Sequence, residues 1–108
     1  MVPGHGGRPL PMMLEQIEEL LSADAPTLAR MEDTLTEGYA RALELEAERW
    51  RIERRLTEVA RAGETDVGEE LRSLGSRLTR ADRELMQLRT QLATLRERAR
   101  TARAKKAS

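Results

Sequence analysis

From Val67 onward, apolar side chains recur at Val67, Leu71, Leu74, Leu78, Ala81, Leu85, Leu88, Leu92, Leu95, Ala99 and Ala102. The steps alternate four and three residues without a break. A 3.5-residue repeat of this length predicts one long helix carrying a left-handed coiled-coil seam. An equally long repeat runs through Leu28, Met31, Leu35, Gly38, Ala42, Leu45, Arg49, Ile52, Leu56 and Val59, altered in kind only at Gly38 and Arg49. A shorter amphipathic run, Leu10, Met13, Ile17, Leu20 and Leu21, keeps helical spacing and predicts a first helix.

Helix-breaking and capping residues divide the chain. The predicted first helix spans residues 11–22, after a Gly/Pro-rich flexible arm over residues 1–10. Asp24 is the expected N-cap of a second helix over residues 25–62, with Pro26 in its first turn. Gly63 suits the left-handed position that ends a helix. Asp66 followed by Glu69 reads as a capping box opening a third helix over residues 66–104, with residues 105–108 as a basic tail end. Residues 11–104 are thus expected to form a single helical-hairpin domain.

A turn as short as residues 63–66 joins antiparallel neighbours, and the two seams test that pairing. The pairs Val59/Leu71, Leu56/Leu74, Ile52/Leu78, Arg49/Ala81, Leu45/Leu85, Ala42/Leu88, Gly38/Leu92, Leu35/Leu95, Met31/Ala99 and Leu28/Ala102 all have residue numbers summing to 130. Small faces large at Gly38/Leu92, Ala42/Leu88 and Arg49/Ala81, as a packed seam requires. The predicted fold is all-α: a long antiparallel coiled-coil helical hairpin with a short N-terminal helix packed on its open end. Helices of this length make a rod roughly 55 Å long at ~1.5 Å per residue.

The two flanks of the rod differ. One carries Thr34, Glu37, Arg41, Glu44, Glu48, Arg51, Arg55 and Glu58 from the second helix, with Arg77, Arg80, Glu84, Gln87, Gln91 and Arg98 from the third, and reads as solvated. The other gathers Tyr39, Leu43, Trp50, Met86 and Ala93, including both aromatic residues of the protein. An apolar strip on a charged rod calls for a cover. Folding back from residue 23 or 24, the first helix is expected to reach Tyr39 and Ala93 but not Leu43, Trp50 or Met86. A second copy in a symmetric homodimer, or a helical protein partner, is expected to cover the remainder.

Charge sharpens this picture. The chain holds 19 basic and 19 acidic residues and is formally neutral, but it is polarised. Glu15, Glu18, Glu19, Asp24, Glu32, Asp33 and Glu37 lie toward one end, and Arg96, Arg98, Arg100, Arg103, Lys105 and Lys106 toward the other. Antiparallel pairing lays these regions side by side and lets Glu32 reach Arg96 or Arg103. The same basic residues are the candidate nucleic-acid contact, able to neutralise several phosphates but without an aromatic for base stacking.

Candidate chemistry is sparse. The single His, His5, stands in the Gly-rich arm, Cys is absent, and no Ser has a base in triad-like placement, so no catalytic residue is assigned and no enzyme activity is expected. The seam has no inward acids for a carboxylate metal site, so neither metal nor cofactor is expected. No small-molecule substrate is implied. No stretch is apolar enough for a membrane span or a secretory signal, which makes the cytoplasm the expected compartment.

Glu64, Asp66, Glu69 and Glu70 cluster at the hairpin tip. Over residues 25–104 this acid-tipped hairpin resembles, in outline, the bacterial Gre-type transcript-cleavage factors, whose rod enters RNA polymerase. Those factors carry a further C-terminal globular domain that has no counterpart in these 108 residues. The expected function is a non-enzymatic assembly or adaptor module acting through the strip. The alternative is an accessory of nucleic acid or the transcription machinery, acting through the basic tail or the tip.

Overall fold

The computed structural model describes residues 10–22, 27–63 and 66–107. They form three helices, α1 (Leu10–Ser22), α2 (Leu28–Ala62) and α3 (Gly68–Ala107). Helices α2 and α3 pack along their lengths as an antiparallel hairpin, and α1 packs on its open end. The molecule measures 65 × 29 × 19 Å.

Gly63 ends α2 with φ 61° and ψ 23°, the left-handed geometry that glycine adopts without steric penalty. Four boundaries differ from the sequence expectation, the first being α1, which begins at Leu10 rather than at residue 11. Helix α2 starts behind Thr27, which is extended at φ −73° and ψ 147° and accepts a 3.2 Å hydrogen bond from the Arg30 amide on its Oγ1. A residue before proline avoids helical backbone, which disfavours a helix running through Ala25 and Pro26. The Asp24 cap itself lies outside the described residues. At the other junction Asp66 has φ 69°, so it is no N-cap. Helix α3 opens one residue later, with the Val67 carbonyl accepting from the Leu71 amide at 2.9 Å. Finally, α3 continues as helix through residues 105–107 of the expected tail.

The core follows the sum-of-130 register. Leu45, Leu85, Leu88, Leu92, Leu95, Met31 and Ala99 are buried in one cluster, and Ile52, Val59 and Leu74 form a second toward the tip. Between the clusters stands the Arg49/Ala81 layer. Ala81 is buried, while Arg49 Nε lies 2.5 Å from Asp82 Oδ1, a charge contact without hydrogen-bond direction, and its Nη2 lies 3.7 Å from Glu53. The arginine stem thus fills the space opposite a small residue and delivers its charge to the rim.

Helix α1 contributes Met13, Ile17 and Leu20, each at most 3% exposed, to the larger cluster. It lies on the flank expected to be solvated. Gln16 Nε2 donates to Thr34 Oγ1 at 3.0 Å, and Arg98 Nη1 donates to the Leu21 carbonyl. Thr34 and Arg98 both belong to the flank opposite Tyr39 and Ala93. The expected cover over those two residues is therefore not formed. The polar contacts explain the choice: Thr34 is small and hydrogen-bonding, and Arg98 satisfies a carbonyl that the end of α1 would otherwise leave unpaired. The other flank is crossed by the Glu32–Arg103 and Glu46–Arg89 ion pairs.

Candidate functional site

With α1 on the far flank, the apolar strip is left open along its length. Tyr39 is 42% exposed, Leu43 66%, Trp50 58% and Met86 71%, and Ala93 is exposed beside them. Four of the five large exposed apolar side chains among the described residues are on this strip, the fifth being Met12 on α1. A charged rod with its large apolar groups gathered on one flank is the pattern of an interaction surface.

The helix faces set this arrangement. Tyr39 occupies the heptad position bordering the seam, and Leu43, Trp50, Met86 and Ala93 occupy the position one step further out. By the register, Leu43 and Met86 stand at the same level on the two helices. The Glu46–Arg89 ion pair crosses between the helices there, so the strip is an apolar surface stitched by charge rather than an unbroken apolar band. Toward the open end, Tyr39, Ala42, Leu43, Leu92 and Ala93 line a shallow groove of about 380 Å³, bordered by Glu46, Arg89 and Arg96.

Trp50 is held from one side. The Arg54 guanidinium sits 5.2 Å from the centre of its ring. A contact of this kind contributes roughly 0.5–1 kcal/mol at an exposed site and limits the freedom of the indole.

Two further alanines escaped the sequence reading. Ala40 and Ala47 are exposed on α2, and with Thr36, Leu43 and Trp50 they make a neutral stripe whose steps are again four and three. The signal was present in the spacing, but it lies on the outer face of α2 rather than on the flank shared with α3. The Thr36 hydroxyl bonds back to the Glu32 carbonyl at 3.1 Å, and that of Thr90 to the Met86 carbonyl at 3.0 Å. Both hydroxyls are thereby satisfied within their own helices.

All six basic residues toward the end of α3 are exposed, and Arg98, Arg100 and Arg103 have partners within the chain. Of the two partners expected for Glu32, Arg103 pairs with it, Arg98 holds the Leu21 carbonyl, and Arg100 lies 3.1 Å from Glu97. Arg96 borders the groove, and Lys105 and Lys106 are exposed in the last turn of α3, where cations complement the helix dipole.

At the tip, Glu64 lies outside the described residues. Glu69 and Glu70 occupy the first turn of α3, favourable to acids, and Glu70 pairs with Arg55 at 2.9 Å. Among the described residues no three His, Cys, Asp or Glu side chains come together to hold a metal ion. No helix among them is long and apolar enough to cross a membrane. Compared with known protein families, curated proteins and solved structures, the chain matches none.

Proposed function

We propose that the protein is a non-enzymatic coiled-coil assembly module that binds another helical surface, its own or that of a protein partner, through the Tyr39/Leu43/Trp50/Met86 strip, with the cytoplasm as its compartment. The carrying observation is that α1, the chain's own covering element, packs on the opposite flank and leaves the strip exposed. A hairpin also makes a thin core, since each helix buries only one seam. Burying the strip adds apolar area at roughly 25 cal/mol per Å², which favours association.

The nucleic-acid reading has thinner support: the basic residues are exposed, but no aromatic accompanies them for base stacking, and Arg98, Arg100 and Arg103 already have partners within the chain. Trp50→Glu tests the proposal. It places a charge on the strip without touching the seam, so circular dichroism should show unchanged helix content while light scattering shows association lost. A Trp50→Glu protein that associates as wild type does would overturn the reading.

A further inference from the structure

We infer that the occupant of this surface is a second copy of the chain, docked with its α2 antiparallel to the first α2 and with paired residue numbers summing to 90. The inference rests on the strip being an interaction surface and adds to it a partner, an orientation and a register.

Helix α2 offers the better half of the exposed surface. Over residues 36–50 its outer stripe, Thr36, Ala40, Leu43, Ala47 and Trp50, carries no charge, whereas the equivalent positions of α3 include Arg83, Glu97 and Arg100. The stripe is also complementary to itself. Under an antiparallel twofold with sum 90, Ala40 meets Trp50 of the second copy and Leu43 meets its Ala47, each contact occurring twice. Small faces large at every layer, as Gly38 faces Leu92 within the hairpin. A parallel pairing would instead stack Trp50 on Trp50 and Ala40 on Ala40, overfilling one layer and leaving another empty.

Part of the flanking polar pattern fits the same register. Inside the hairpin, three of the four cross-helix ion pairs given for the described residues fall at sums five above or five below that of the seam, Glu32–Arg103 and Glu46–Arg89 at 135 and Arg55–Glu70 at 125, while Arg49–Asp82 lies at 131. Applying the same geometry around 90 places Glu44 against Arg51 of the second copy at 95, twice, and the Tyr39 hydroxyl against its Glu46 at 85, twice. The antiparallel alternative one heptad away, at 83, brings Glu37 to Arg51 but sets Glu44 against itself and Trp50 against Asp33. At 90 the like-charged pair Glu37/Glu58 falls toward the ends, and Glu32/Glu53 joins acids already paired with Arg103 and Arg49. Solvent-exposed repulsions of this kind are small.

The chain contains no Cys, so introduced thiols report contacts without background. Asp33→Cys and Thr57→Cys, made singly, leave the stripe from Thr36 to Trp50 and the Arg54 contact in place and pair at sum 90. Each position lies about 36 Å along the axis from its own copy in that register, at ~1.5 Å per residue. A short bis-thiol cross-linker should therefore join the two variants when they are mixed and neither variant to itself. Self-linking by either variant alone, or a wild-type mass of one chain at every concentration, would overturn the inference. A dimer that Trp50→Glu dissociates but that links in another register overturns the register and leaves the strip reading standing. A dimer indifferent to Trp50→Glu overturns both.

Discussion

Gly38 and Leu92 are in such close contact that a β-carbon built at position 38 would overlap Leu92 Cδ2 and stand 3.3 Å from Cδ1 and Cγ. Leu92 is 2% exposed, so its side chain has little room to turn away. Gly75, also within a helix, has nothing within 4 Å of the same built atom. Alanine in a helix is favoured over glycine by about 1 kcal/mol, while overpacking a filled layer costs roughly 1–3 kcal/mol. Gly75→Ala should therefore raise the urea midpoint, and Gly38→Ala should fall below Gly75→Ala by roughly 1–3 kcal/mol in a denaturation series. Equal gains at both sites would show that the seam is looser than described.

The placement of α1 is tested by Ile17→Ala, because Ile17 is fully buried in the cluster at the open end. Loss of a buried isoleucine side chain costs about 2–5 kcal/mol where the site cannot collapse. Amide exchange should accelerate in α1 first, with the Leu45–Leu85 region of the hairpin still protected. Uniform acceleration along all three helices would mean that α1 and the hairpin open as one unit.

Arg49 separates two roles, stem and charge. Arg49→Met and Arg49→Ala both remove the cation beside Asp82 and Glu53, but Arg49→Met keeps most of the stem over Ala81 and Arg49→Ala loses it. Arg49→Ala should be the less stable of the two by about 1 kcal/mol, as measured by thermal unfolding. If the two variants melt together, the stem contributes nothing to the layer.

The long-range ion pairs are exposed, so their contribution should be small and salt-sensitive. Reversing Glu46→Arg should cost no more than about 1 kcal/mol, and Arg89→Glu in the same chain should restore most of it. The cycle is read most clearly at low ionic strength, where screening is weakest. Zero coupling there would remove the ion pair from the account of the strip.

Much of this architecture was legible because a 3.5-residue repeat fixes both the seam and, through a short turn, the pairing of its residues. Gly38 opposite Leu92 and Arg49 opposite Ala81 follow from arithmetic on residue numbers alone. The flank chosen by α1 does not. A short connection reaches either side of a hairpin, and the choice rests on Thr34 and Arg98, which the heptad pattern classes with other solvated polar positions. The starts of α2 and α3 depended on local backbone geometry at Thr27 and Asp66, which residue type alone does not fix. Of the strip, the exposed residues were readable from spacing, but the ion pair crossing it needed the register and side-chain reach together.

The central claim, that the strip is a surface to be covered, is tested most directly by the fluorescence of Trp50, the single tryptophan of the protein. Its emission reports this strip and nothing else. As protein concentration rises, the emission maximum should move to shorter wavelength in the wild type, as the indole leaves water, and should stay in the water-exposed range in Leu43→Glu. Emission that remains in the exposed range for the wild type at every concentration, while sedimentation shows association through another surface, would contradict the account.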